Sequence, residues 1–140
     1  MKYIYVLLTA TLLASCANPN AERIEALKKE TIAIHDTVMP RLGELVELGM
    51  QMKAKRSSLE ADTATSHDSV ISVLNDRIVF AQRAHDGMMD WMAEYDPTHD
   101  KEHNDEETIA YYEEQRMLIK QVKRDMENGI EDAKEIIGKN

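Results

Sequence analysis

The chain has 140 residues, of which 31% are charged and 43% hydrophobic, and its formal net charge is −9. That length suits one domain, and five glycines with three prolines are too few for the turns of a many-stranded sandwich or barrel. The acidic balance argues against nucleic-acid binding, which depends on basic patches, and a single cysteine excludes a disulfide framework.

The first sixteen residues resemble the signal of a bacterial lipoprotein. Met1-Lys2 is a short basic start, residues 3–13 are apolar apart from two threonines, and Leu13-Ala14-Ser15-Cys16 looks like a lipobox. The apolar run is too short to span a bilayer. The resemblance implies that residues 1–15 are a cleaved signal peptide and that Cys16 carries the lipid, with 16–20 as a lipidated tether. The alternative is an ordinary secretory signal with a chance cysteine.

The residue after the cysteine bears on the destination. Ala17 stands where an aspartate would retain a lipoprotein in the inner membrane, and no acidic run follows Cys16. In bacteria with two membranes this pattern implies sorting to the outer membrane. We therefore expect a lipid-anchored protein of the cell envelope that faces the periplasm.

A long amphipathic helix is predicted over residues 21–60. Its apolar residues recur every seven positions, which is typical of a helix in a bundle or coiled coil. The seam consists of Ile24, Thr31, Val38, Leu45, Met52 and Leu59, and a second stripe consists of His35, Met39, Leu42 and Val46. Pro40 lies inside the pattern and cannot donate a hydrogen bond to the preceding turn, so we expect a kink there.

Two further helices are predicted over about 66–95 and 105–137. The seam of the second is Ile71, Leu74, Ile78, Ala81, His85, Met88, Met92 and Tyr95. The third carries Ile109, Tyr112, Ile119, Met126, Ile130, Ala133 and Ile137 on one face. Residues 96–107, between them, are expected to form a solvated acidic loop. Three helices with short connections predict an all-α fold, an antiparallel three-helix bundle over 21–140.

The expected register brings histidine and methionine into one layer. A turn near residues 62–65 places His35 opposite Met92 and Met39 opposite Met88. The layer also takes in Met89 and Tyr112, with His85 one turn away and Trp91 at its border. Residues 21–31 have no partner on the second helix, which leaves pairing with a second copy, packing under the acidic loop, or a stalk.

Cu(I) prefers ligands of the kind found in this layer. Soft thioethers and imidazole suit that ion, and the candidate ligands are His35, Met39, His85, Met88 and Met92. Small periplasmic copper carriers use Met and His beside a Trp, and Trp91 extends the similarity in ligand types, although fold and spacing do not match. Alternatively, the Met residues fill the core and each His is hydrogen-bonded at a helix edge.

No catalytic motif stands out. Four histidines precede an aspartate, which resembles the His-Asp pair of helical metal-dependent phosphohydrolases, but these pairs are scattered along the chain. A Gly-rich phosphate loop, a His-Glu-x-x-His motif and a serine nucleophile elbow are all missing from the sequence. We therefore predict a protein that is not an enzyme and needs no cofactor, copper being the alternative.

Two segments resemble a group of small helical envelope lipoproteins. Residues 34–45 (IHDTVMPRLGEL) and 88–97 (MMDWMAEYDP) are similar to proteins labelled "viral A-type inclusion protein", a label that reflects helical similarity and not a viral role. The resemblance covers most of the mature chain and implies no activity, ligand or catalytic residue.

Together these patterns predict a lipid-anchored, non-catalytic helical protein of the cell envelope. It would contact the membrane through its N-terminal lipid and bind a protein partner or a second copy of itself, but no nucleic acid. The alternative is an envelope metal-binding protein that uses the His/Met layer, with Cu(I) preferred over other metals.

Overall fold

The computed structural model describes residues 18–138. Every regular element within this range is helical and none is a strand, which confirms the all-α prediction. The predicted signal peptide, Cys16 and Ala17 lie outside the described residues, as do the last two residues of the chain.

Four α-helices make up the structure: α1 (Pro19–Val38), α2 (Leu42–Ala61), α3 (Asp68–Glu94) and α4 (Asp105–Gly138). A 3-10 turn, Met39–Arg41, joins α1 to α2, and a second one, His99–Lys101, lies between α3 and α4. The helix ends predicted from the sequence agree with these bounds to within two residues.

Side-chain caps explain where two of the helices begin. The side chain of Asn18 accepts a hydrogen bond from the backbone N–H of Asn20 at 3.0 Å, and Pro19 occupies the first turn, where its missing N–H costs little. Asn104 Oδ1 accepts the N–H of Glu107 at 3.0 Å. Asn104 therefore caps the start of α4.

Helical backbone continues through Pro40. The turn Met39–Arg41 tightens to 3-10 geometry, and no non-helical residue separates α1 from α2. The N–H of Met39 still donates to the carbonyl of His35, and the N–H of Leu42 donates to Met39. Pro40 thus sits at the start of a short 3-10 segment, where its lack of an N–H is tolerated.

The core has two parts. The larger cluster joins the end of α1, at Val38, to α2, α3 and α4, and its fully buried side chains include Leu45, Met52, Leu74, Met88, Ile119 and Met126. A smaller cluster contains Ile24 and Leu27 of α1 with Tyr112 of α4. The predicted heptad seam is buried from Ile24 to Met52, and Leu59 is half-buried.

The smaller cluster shows where residues 21–31 pack. α1 packs against α4, and ion pairs from Arg23 to Glu113 and from Glu30 to Lys120 cross this interface. Lys28 also binds Asp100, in the segment that precedes α4. Residues 21–31 therefore pack against the start of α4 and under the 96–104 segment, so they are not a stalk.

The predicted position of Tyr112, in one layer with Met88 of α3, was wrong. A Cβ on Gly87 would lie 3.9 Å from Val122, and one on Gly129 would lie 3.7 Å from Phe80. Tyr112 accordingly lies in the smaller cluster and not beside Met88, a shift of roughly nine residues. The reason is that residues 96–104 fold into a compact segment, so that α4 starts beyond the end of α3.

Candidate functional site

The segment 96–104 is ordered by its own polar side chains. Asp96 Oδ1 accepts hydrogen bonds from the N–H and the hydroxyl of Thr98, both at 2.8 Å. The N–H of Asp96 donates to the Tyr111 hydroxyl at 2.6 Å, and Lys28 Nζ donates to Asp100 at 2.9 Å. The expected solvated loop is therefore a structured connection fastened to α1 and α4.

Two histidines of this segment and a tyrosine of α4 form a stack of three rings. The His99 ring lies between His103, with centroids 3.8 Å apart, and Tyr111, at 4.0 Å. His103 Nδ1 donates to the carbonyl oxygen of His99 at 3.0 Å. These contacts connect the segment to Tyr111 of α4.

A continuous series of aromatic rings runs from this segment into the bundle. Neighbouring centroids are 4.0 to 6.3 Å apart along His99, Tyr111, Tyr112, Tyr95, Trp91 and His35. The series joins α1, α3 and α4, and aromatic pairs at such distances add stability beyond their buried area. It therefore links α1 and α4 to the last turn of α3, where Trp91 and Tyr95 lie.

The electrostatics of this end suit a structural role. Burial raises the pKa of Tyr95 to about 12, and burial, followed by the nearby charge of Asp100, raises the pKa of Tyr112. The hydrogen bond from Lys28 holds the pKa of Asp100 below its usual range. Neutral phenols and a paired carboxylate are poorly suited to exchange protons near neutral pH.

His35, one of the predicted ligands, lies at the edge of the bundle. Its ring stacks on Trp91, with centroids 5.5 Å apart and an interplanar angle of 30°. Nδ1 is 2.9 Å from Asp36 Oδ1, which leaves Nε2 for another partner. Met39 and Met92 pack half-buried against the larger core cluster.

His85, another predicted ligand, lies at a different level of the bundle. It lines a groove of about 180 Å³ between α2 and α3 with Leu45, Val46, Gly49 and Ile78. Its Nδ1 bonds Asp86 at 3.0 Å, and this hydrogen bond is the main cause that lowers the pKa of Asp86. Six residues of α3, or roughly 9 Å, separate His85 from Trp91.

The methionines of the layer have different environments. Met88 is fully buried in the larger cluster, whereas Met89 is 45% exposed and lies at the surface. Met89 therefore does not belong to the interior layer expected from the sequence. Among residues 18–138, no group of three or more His, Cys, Asp or Glu side chains is arranged to hold a metal ion.

An apolar depression, here called the distal groove, lies where α2 ends and α3 begins. It has a volume of about 530 Å³ and is lined by Lys55, Leu59, His67, Val70, Val73 and Ile136. Asn18 is at the opposite end, where its side chain donates to Asp105 at 3.4 Å. From Asp105 to Ile136, α4 spans roughly 46 Å.

Two buried polar residues of α4 were not predicted from the sequence. Thr108 and Gln115 are buried beside Tyr112, although only apolar residues were assigned to that face. The side-chain oxygens Thr108 Oγ1 and Gln115 Oε1 have no hydrogen-bond partner within residues 18–138. The same is true of Thr31 Oγ1 and Trp91 Nε1. The spacing i, i+4, i+7 of Thr108, Tyr112 and Gln115 is the signal that could have identified this face.

Comparison with family models, with curated proteins and with solved structures finds no match. In the part of the chain that the structure describes, no helix is long and apolar enough to cross a membrane.

Proposed function

We propose that this chain is a lipid-anchored, non-catalytic protein of the cell envelope that binds a partner. Cys16 would carry the lipid, with the outer membrane as its site and the periplasm as the compartment it faces. The observation that carries the proposal is the position of α1, which begins at Pro19, three residues after the lipobox cysteine. Such a short link would hold one end of the helices close to the bilayer surface.

We infer that the helices form an antiparallel three-helix bundle. The pairing of Arg77 with Asp132 and that of Asp96 with Tyr111 support opposite directions for α3 and α4. The 3-10 turn at Pro40 would bend the axis between α1 and α2, because prolines and changes of helix type are common causes of kinks. α1 then follows α4 while α2 contacts both α3 and α4.

The carboxylates support a non-catalytic role. Glu30 has a pKa below its usual range, mainly because Lys120 and then Arg116 donate hydrogen bonds to it. The pKa of Glu44 is lowered in the same way, chiefly by Lys134. Both acids stand in surface ion pairs between helices, and a carboxylate held ionised in this way is a poor general acid at neutral pH.

Lipid labelling tests the proposed anchor. Cells grown with radiolabelled palmitate should yield a labelled wild-type protein in the membrane fraction, and globomycin should block its processing. Cys16→Ser should remove both the label and the membrane retention, whereas Ser15→Ala, which keeps a small residue before the cysteine, should preserve them. An unlabelled wild-type protein in the soluble periplasmic fraction would contradict the proposal.

A second candidate function is Cu(I) binding near His35. The supporting observation is that Asp36 holds Nδ1 of His35, an arrangement that commonly orients the other imidazole nitrogen toward a metal. Met39 and Met92 are the thioether ligands proposed for an ion near His35. His85 and Met88 are the ligands proposed for a second possible position of the ion.

A competition titration distinguishes the two possible positions of the ion. With a Cu(I) chelator as competitor, His35→Leu should weaken binding if the ion lies near Trp91, and His85→Leu should weaken it if the ion lies near Met88. If wild type and the double variant His85→Leu, Met92→Leu compete identically, and His35→Leu does too, the copper hypothesis fails.

A further inference from the structure

The distal groove is an apolar concave surface that the core does not fill. Val70 is 37% exposed and Val73 is 42% exposed, on consecutive turns of α3. Leu59 of α2 and Ile136 of α4 complete the apolar wall. Leu59 and Ile136 also pack against the larger core cluster, so the groove is a surface continuation of a rigid core.

The polar groups at the groove are engaged with other groups of the protein. Lys55 Nζ donates to the carbonyl oxygens of Ile136 and Ile137, at 3.0 and 3.3 Å, and so caps the end of α4. His67 Nε2 is 2.9 Å from Asp62 Oδ2. Arg77 beside the groove forms an ion pair with Asp132. Lys55 is therefore engaged by backbone carbonyls, and Arg77 by a carboxylate.

The end of the fold that contains the groove is electronegative. Residues 55–77 and 131–138 contain four Lys or Arg and seven Asp or Glu side chains. α2 and α4 both end here and α3 begins here, so two helix C-termini with partial negative charge lie beside one N-terminus with partial positive charge. An apolar surface with an acidic surround favours a ligand that is apolar on one side and basic on the other.

We propose that the distal groove binds a cationic amphipathic segment of a partner protein. This inference rests on the proposed binding function and specifies the chemistry of the partner. The apolar face of the segment would cover Val70, Val73 and Ile136, and its Lys or Arg side chains would meet the surrounding carboxylates. Amphipathic helices bind grooves in other proteins in this manner.

Other occupants are less compatible with the charge and the geometry. A second copy would bring two acidic ends together in a self-complementary contact. The apolar residues near the N-terminus belong to the proposed cleaved signal peptide, so the mature chain would not contain them.

Fluorescence anisotropy with a designed peptide tests the proposal. The probe is a labelled peptide of about 14 residues with Leu on one helical face and Lys elsewhere, added to the purified full chain. One control peptide has Glu in place of Lys, and another has Ser in place of Leu. The Leu/Lys peptide should bind saturably and more weakly as salt is raised, and both controls should bind at least about tenfold more weakly.

Two substitutions on α3 provide the matched comparison. Val73→Lys places a charge in the groove, and Val79→Lys places the same charge on an exposed position of the same helix, where Val79 is 48% exposed. Val73→Lys should raise the Kd at least about tenfold, while Val79→Lys should change it less than about twofold. Circular dichroism checks that both variants keep their helicity.

Three results would overturn the proposal: no saturable binding of the Leu/Lys peptide, equal weakening by Val73→Lys and Val79→Lys, or a dimer that Val73→Lys dissociates. Failure of the proposed function is a separate outcome. Palmitate labelling of Cys16 does not depend on the groove, so an anchored protein that ignores the peptide would refute only the partner chemistry.

Discussion

The imidazole of His35 on α1 stacks on the indole of Trp91 on α3, with ring centroids 5.5 Å apart. Trp91 is 6% exposed and is the single tryptophan of the chain. The contact lies in the series of aromatic rings that ends at His99 and His103. Trp91 therefore reports on the packing of α1 against the rest of the fold.

Removal of the His35 ring should uncover Trp91. In His35→Ala we expect a red-shifted emission maximum, stronger quenching by acrylamide, and a loss of about 0.5–1.5 kcal/mol in unfolding free energy from the ring contact. His85→Ala is the control, because His85 lines the α2–α3 groove instead of contacting Trp91. Equal emission changes in the two variants would show that Trp91 does not depend on the His35 stack.

The ion pairs of Glu30 predict acid sensitivity of the α1–α4 interface. A carboxylate with a lowered pKa stabilises the fold above its ordinary pKa, and this stabilisation disappears as pH falls through the folded value. Glu30→Gln should therefore unfold at lower urea than wild type at pH 7 and lose less stability on acidification to below about pH 4. Since these pairs are partly exposed, the effect at pH 7 should stay within about 1 kcal/mol.

Glu25→Gln gives the matched control for this measurement. Glu25 is an exposed residue of the same helix and does not take part in the Arg116 and Lys120 ion pairs. Urea midpoints at several pH values that fall in parallel for both variants and wild type would contradict a specific role of Glu30.

The raised pKa of Tyr95 predicts that the fold loses stability at alkaline pH. Burial raises its pKa to about 12, so the folded protein keeps the phenol neutral after the unfolded chain would ionise, near pH 10. The stabilisation is complete below about pH 10 and is lost as pH rises toward 12. Tyr95→Phe should lower the loss of stability between pH 9 and about pH 11, measured by urea unfolding. A loss identical to that of wild type would exclude this contribution.

Two glycines should respond in opposite directions to alanine. A Cβ on Gly43 meets no atom within 4 Å, whereas one on Gly129 would lie 3.1 Å from Leu45 Cδ1 in the buried core. Gly43→Ala should raise the unfolding free energy by about 0.5–1 kcal/mol through helix propensity. Gly129→Ala should be less stable than Gly43→Ala by at least about 1 kcal/mol because of overpacking. Equal stabilisation would contradict the close approach of α4 to α2.

Pro40 provides a test of the proposed bend. With Cys16→Ser as background, spin labels at Glu22→Cys and Ser57→Cys report the distance across the α1–α2 junction. Pro40→Ala should lengthen that distance because the axis straightens, and stability should rise by at most about 3 kcal/mol. An unchanged label distance would mean that the proline does not bend the axis.

Helix positions were predictable because burial repeats with the helical period. Thr31 and Met52 were assigned to the core from their heptad positions alone, and both are fully buried. The pairing of α2 with α3 followed from the short connection at 62–67, and His35, near the end of α1, indeed lies beside Trp91.

The second connection could not be predicted in the same way. The hydrogen bonds of Asp96 to Thr98 and the stacking of His99 on Tyr111 give this segment a defined structure, and no helical period reveals such contacts. The register of α4 therefore shifted, and Tyr112 moved from the expected layer to the cluster of Ile24 and Leu27. Surface features such as the distal groove form where the ends of three helices meet, and the spacing of residues in the sequence does not encode such a meeting.

The most direct test of the account is mass spectrometry of the N-terminus of the protein isolated from membranes. A mature lipoprotein should begin at Cys16, and its tryptic peptide Cys16–Arg23 should carry the mass of a diacylglyceryl group and an amide-linked acyl chain. A peptide that starts at Tyr3, which trypsin releases after Lys2 of an uncleaved chain, or one that contains an unmodified Cys16, would contradict lipid anchoring and with it the proposed place of this protein in the cell.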